Sequence, residues 1–226
     1  MRTANMAFLA ALFDLDGTLL DSIQDIAGCA NEVLGRWQLQ QLSVEQFKAY
    51  VGDGVANLAR KLLPQNLRDD ETVSRFLQEY AELYRQRWNA STSIYKGVPE
   101  LLTKLERRGV PMAVLSNKRD DFTKVCVREL LPSWRFAVVQ GESASVPVKP
   151  DPSGALAIAQ ELNVEPARCL FVGDSEIDVE TARRAGMGFV GVAWGFRSRK
   201  QLEEAGAQNI ISSPSELFEF FSEKAA

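Results

Sequence analysis

Phe8-Leu9-Ala10-Ala11-Leu12-Phe13-Asp14-Leu15-Asp16-Gly17-Thr18 decides the fold. An apolar run followed at once by charge reads as a strand buried on both faces, the pattern of a parallel sheet. Side chains alternate along a strand, so Asp14 and Asp16 can lean to one side of its C-terminal end. Gly17 stops the strand and lets the backbone approach a ligand closely. Two carboxylates this close repel, and a proton on one or a cation between them offsets the repulsion. With Arg2 before it, the stretch Met6 to Phe13 has the outline of a secretion signal. It is short and ends on Asp14 and Asp16, so it is read as the first strand.

Helices follow. Ser22 with Asp25 suggests a capping box, and Ile23, Ile26, Ala27, Ala30, Leu34 and Trp37 fall at helical spacing. Ser43 with Gln46 suggests a second box. Gly52-Asp53-Gly54 breaks that helix, and Pro64 ends the next. Val73, Phe76, Leu77, Tyr80, Tyr84 and Trp88 mark a long amphipathic helix. The rhythm then changes. Strands are expected at Pro111–Leu115, Phe136–Val139, Cys169–Val172, Phe189–Val192 and Ile210–Ile211. Helices separate them, among them Pro99 to Gly109, Asp120–Leu130 and Glu176–Ala185, and a terminal helix closes the chain. Alternating strands and helices imply an α/β fold, a Rossmann-like doubly wound parallel sheet with helices on both faces. The helical block between interrupts it after strand one. The expected division is a core of residues 1–20 and 92–226 with an all-helical cap of residues 21–91.

Composition narrows the function. The chain has 226 residues, enough for one large domain or a core with an insert. Its net charge of −4 and scattered Lys and Arg give no footprint for nucleic acid. No run approaches the roughly 18 apolar residues that span a membrane. Cys29, Cys126 and Cys169 lie far apart with no C-x-x-C, which suggests neither a disulfide framework nor a zinc site. A reducing, cytoplasmic setting fits. The chain has no histidine, which excludes Ser-His-Asp and Cys-His catalysis within it. Monomer and homodimer both stay open.

Polar residues gather where the strands end, the edge at which open parallel sheets bind ligands. They are Asp14 to Thr18, Ser116-Asn117, Lys149 and Gly173-Asp174-Ser175, with Asp178 four residues beyond Asp174. Each has a plainer reading alone. Ser116, Asn117 and Ser175 are residues that cap helices, and a single lysine is usually exposed. Capping needs alone do not produce all four together.

This set resembles the haloacid dehalogenase-like superfamily. Asp14-Leu15-Asp16-Gly17-Thr18 looks like its first motif, Ser116 its second, Lys149 its third, and Gly173-Asp174 with Asp178 its fourth. Leu19-Leu20-Asp21-Ser22, Val51-Gly52-Asp53-Gly54 and Gly191-Val192-Ala193-Trp194-Gly195-Phe196 are similar to its phosphoglycolate phosphatase branch. The resemblance implies a phosphatase acting on a small phosphorylated metabolite, phosphoglycolate foremost, with Mg²⁺ as cofactor. Asp14 would be the nucleophile and Asp16 the general acid, then base. Asp14, Asp174 and the backbone carbonyl of Asp16 would hold the metal, with Asp178 behind them. Lys149, Ser116, Thr18 and backbone N–H groups near Gly17 and Asn117 would hold the phosphoryl group. Thr18 and the lack of a cap histidine favour hydrolysis over phosphoryl transfer within the substrate. Pyrophosphatase or nucleotidase activity on the same scaffold is the alternative, and a non-catalytic phosphorylated-ligand binder the second. Gly52-Asp53-Gly54 is the candidate specificity loop. Tyr50 and Arg60 are possible substrate contacts, and Trp194 and Phe196 either meet the cap or close the core edge.

Overall fold

The computed structural model describes residues 8–221. Met6 and Ala7, expected to begin the first strand, lie outside it, as does any part of the terminal helix beyond Phe221. In chain order come β1 (Ala10–Phe13), β2 (Leu20–Asp21), α1 (Ile23–Arg36), α2 (Val44–Tyr50), α3 (Val55–Leu62), α4 (Asp70–Arg87) and β3 (Ser93–Ile94). Next are α5 (Val98–Arg108), β4 (Met112–Arg119), α6 (Asp120–Leu130), β5 (Val138–Glu142), α7 (Ser153–Glu161) and β6 (Cys169–Gly173). The last are α8 (Glu176–Ala185), β7 (Gly188–Val192), α9 (Arg199–Glu204) and β8 (Ile210–Ile211). Pro214–Phe220, expected as an ordinary helix, winds as the tighter 3₁₀ form.

Six strands form one sheet in the order β5-β4-β1-β6-β7-β8, and every pairing is parallel. β1 is central. Its Phe13 pairs with Val114 of β4 on one side and Val172 of β6 on the other. All four β1 residues are buried, as a strand covered on both faces must be. After β1 the chain steps outward to β4 and β5, then crosses back to β6. The strand order therefore reverses at β1, and a crevice opens at the carboxyl ends of β1, β4 and β6.

The helices α1 to α4 leave and rejoin the core through a feature absent from the sequence reading. Leu20–Asp21 and Ser93–Ile94 pair as a short antiparallel ribbon at the base of the helical block. Two residues per strand are too few for periodicity to reveal. Ser22 precedes α1 but makes no side-chain cap, and the expected box with Asp25 does not form. Asp25 instead accepts from the N–H groups of Ser91 and Thr92 and from Thr92 Oγ1, tying the incoming and returning chain together. Apolar residues of α1, α3 and α4 join one continuous core with Phe13, Val114 and Val172 of the sheet.

Candidate active site

Asp14 follows β1 directly, and its N–H donates to Val172 O at 2.9 Å, which pins it beside β6. The chain then turns tightly. Gly17 N–H donates to Leu20 O at 2.8 Å and Leu20 N–H to Leu15 O at 2.9 Å. Gly17 has φ +91°, and a Cβ there would stand 2.3 Å from Asp174 Oδ2. Both facts demand glycine. At Gly173 a Cβ would stand 2.4 Å from the Asp178 side chain, so the end of β6 also needs a bare backbone.

Three carboxylates meet here. Asp14, Asp174 and Asp178 are buried, and each offers one oxygen within 4.8 Å of the others. Lys149 Nζ lies between two of them, 2.8 Å from Asp14 Oδ1 and 2.7 Å from Asp178 Oδ1. Asp178 Oδ2 accepts from Ser175 N–H and Oγ. Both of its oxygens are thus engaged, and its place is behind Lys149. Asp174 Oδ2 accepts from Phe196 N–H at 2.6 Å.

The electrostatics follow from burial. Removal from water disfavours the Asp14 carboxylate and, although Lys149 opposes this, raises its pKa to about 7. Asp174 is raised well above the usual carboxylate range, chiefly by burial and then by the neighbouring charges of Asp14 and Asp178. Burial acts against the Lys149 ammonium, but the two carboxylates outweigh it and hold the lysine charged. An all-oxygen set that is costly to ionise unaided is the donor chemistry a hard divalent cation offsets.

Asp16 points elsewhere. Lys118 Nζ donates to both of its oxygens, at 3.0 and 2.7 Å, and Ser22 Oγ donates to Oδ1 at 2.6 Å. Lys118 is nearly buried and stands 4.8 Å over the Tyr84 ring. The sequence reading named neither Lys118 nor Ser22 for this site. One signal was present: Lys118 stands two residues after Ser116, so strand alternation puts both on one side.

β4 runs four residues further than expected, to Arg119, with a register break against β5 between Leu115 and Arg119. Ser116 and Asn117 sit in that break and are buried. Neither caps α6, whose cap position is Arg119. Asn117 is a clamp. Its Nδ2 donates to Gly52 O and Lys149 O, and its Oδ1 accepts from Lys149 N–H. Thr18 is buried and its Oγ1 has no partner. Ser175 does cap α8, and shares a capping box with Asp178. The helix begins at Glu176, so Asp174 precedes it rather than opening it.

The helical block lies over this crevice. Arg197 is nearly buried, paired with Glu176 at 2.9 Å, and donates to the carbonyls of Lys48 and Val51. Gly52 and Gly54 line the cavity shared with Asp14 and Asp16. Asp53 pairs with Lys61, and Tyr50 and Arg60 line a separate surface groove with them, away from Asp14. Phe196 is buried in, and Trp194 packs against, the core cluster that also takes in the cap helices. The Trp194 indole N–H donates to Thr18 O at 3.1 Å, holding the turn after Asp16.

Comparison with known proteins gives the family and the fold. The family model for haloacid dehalogenase-like hydrolases matches residues 11–192, and the chain belongs to that family. It is a phosphatase of the phosphoglycolate phosphatase-like kind. A phosphoglycolate phosphatase of Neisseria meningitidis is 31% identical over 217 residues, covering 93% of this chain and 92% of its own. One from Aquifex aeolicus is 32% identical over 210 residues, covering 91% and 93%. A crystal structure from Lactobacillus delbrueckii subsp. bulgaricus, provisionally named a phosphoglycolate phosphatase, superposes with TM-score 0.88 at 30% identity. It covers 95% of this chain and 98% of that one. Among the described residues no helix is long and apolar enough to cross a membrane.

Proposed function

We propose that the chain hydrolyses phosphomonoesters of a small metabolite through an aspartyl-phosphate on Asp14. The observation that carries this is Asp14 itself: a buried carboxylate at the sheet's switch point, held by Lys149 beside Asp174. A carboxylate oxygen of Asp14 attacks phosphorus, and the bond to the leaving oxygen breaks. Asp16 gives that oxygen a proton. Asp16 then takes a proton from water as the water attacks phosphorus, which frees phosphate and restores Asp14. Lys118 and Ser22 fix where the Asp16 carboxyl points. Lys149 places positive charge beside Asp14, and Asp178, braced by Ser175, holds Lys149 there. Ser116, Thr18 and the backbone near Gly17 and Asn117 hold phosphoryl oxygens.

Asp14 and Asp174, with the Asp16 backbone carbonyl, would hold Mg²⁺. When bound, the ion offsets repulsion between Asp14 and the phosphate and stabilises charge in the transition state. Residues 21–91 act as a cap over the core of residues 1–20 and 92–226, excluding water and reading the leaving group. By the relatives' name, phosphoglycolate is the first ester to test. The test is phosphate release from a panel of phosphorylated metabolites, with Mg²⁺ and with EDTA. Pyrophosphate and nucleoside monophosphates belong in the panel. Metal-dependent release, lost in EDTA, is expected. Release that ignores EDTA, or none from any ester, overturns the reading.

A further inference from the structure

A cavity of about 150 Å³ opens from the Asp14 and Asp16 end of the site toward the helical segment. Its walls are Leu58, Leu77, Tyr80 and Tyr84 of the cap helices, with Ile26 and Phe122. The aromatic side is rigid: Tyr84 stacks on Tyr80 with centroids 5.4 Å apart and meets Phe122 edge-on at 5.1 Å. A cavity of about this volume lined by Leu, Ile and Phe is known to take a ring of benzene's size. The Tyr84 hydroxyl is buried and has no partner, so the wall still offers one hydrogen bond.

The nearly buried cation bordering the cavity is already paired. Lys118 gives two of its hydrogen bonds to Asp16, and Arg119 pairs with Asp121 at 2.8 Å. These are the cations among the residues that line it. A second carboxylate brought in with the substrate would lie beside Asp16, against apolar walls, with the nearly buried lining cation, Lys118, already held by Asp16.

Resting on the phosphatase reading above, we propose that the substrate is a phosphomonoester of a compact, uncharged, largely apolar alcohol or phenol. Its leaving group lies against Leu58, Leu77, Tyr80 and Tyr84, with one polar atom for the Tyr84 hydroxyl. This separates the chain from the glycolate ester for which its relatives are named, since glycolate brings a carboxylate into this cavity.

The test is calorimetric binding of three non-hydrolysable phosphonates to the full chain in Mg²⁺. Benzylphosphonate is expected to bind about tenfold or more tighter than methylphosphonate or phosphonoacetate, the effect of burying about two methylene-sized units. Leu77→Arg, which adds a cation to the wall, is expected to shift the preference toward phosphonoacetate by about tenfold. Phosphonoacetate binding as tightly as benzylphosphonate to the unaltered chain overturns the inference and leaves the phosphatase reading standing. So does methylphosphonate binding as tightly as the benzyl compound. No binding of any of the three, with no ester hydrolysed, overturns both.

Discussion

Replacing Lys149 with Met removes one ammonium that serves two carboxylates. Its Nζ stands 2.8 Å from Asp14 and 2.7 Å from Asp178, with side-chain exposures of 3% for Lys149 and 0% for Asp178. Met is close in length and volume, so the change is mainly one of charge. Removing one partner of a buried pair costs about 3–5 kcal/mol, because the other stays behind as an uncompensated charge. Here proton uptake limits the loss. Burial raises Asp14 from 3.8 to about 7 despite Lys149, and loss of the lysine raises it further. A group whose pKa is raised on folding contributes stability that is fully present below its unfolded pKa and is lost as pH rises through its folded one. The cost of Lys149→Met in EDTA should therefore grow with pH, from about 3 kcal/mol near pH 5 to about 5 kcal/mol near pH 8. Urea unfolding with linear extrapolation measures it. Asp178→Asn in the same chain removes the second stranded charge, so the double variant should be less destabilised than the sum of the singles by about 2 kcal/mol. A cost under about 1 kcal/mol near pH 8, or additivity within about 0.5 kcal/mol, refutes the buried-charge account.

Asp14→Asn should keep the fold, checked by circular dichroism, and lower phosphate release by about a thousandfold or more. Release within about tenfold, a barrier change of only about 1.4 kcal/mol, rules Asp14 out as nucleophile. Because Asp14 and Asp174 are both raised, protons compete with metal for them. Mg²⁺ should raise Tm more near pH 8 than near pH 5, and equal shifts at both would remove these carboxylates from the metal site. Arg197→Ala leaves the carbonyls of Lys48 and Val51 without their guanidinium donor. The cap loop should close less readily, with KM up about tenfold and kcat changed less; the opposite split places Arg197 in the chemical step.

The centre of this fold was legible because its signals are local. An apolar run ending in Asp14 and Asp16 is a buried strand followed by charge. Gly17, Gly109 and Ser43 with Gln46 mark turns and caps by their own chemistry, and the structure shows each. Lys149, Asp174 and Asp178 stand at the expected strand ends and match the family's motifs, and sheet topology brings them together. What stayed hidden depends on tertiary placement. Ser22 has the chemistry of a cap but finds Asp16 instead, and Asp25 accepts hydrogen bonds from the returning chain at Ser91 and Thr92. Lys118 reads as one lysine among many until β4 is extended past Leu115. Tyr50 and Arg60 are near the glycine loop in sequence, but helix rotation turns them onto another face. The apolar face of α4 was plain, yet nothing local says that Leu77, Tyr80 and Tyr84 border a cavity rather than fill a core.

The claim at the centre is that Asp14 carries the phosphoryl group, and an acyl phosphate can be trapped. The enzyme turning over its best ester in Mg²⁺ would be quenched and reduced with borohydride, which converts an aspartyl-phosphate to homoserine, and then digested for mass spectrometry. Homoserine should appear at position 14, only with both ester and metal present. Steady turnover with Asp14 unmodified, or with the label on another carboxylate, would contradict the account.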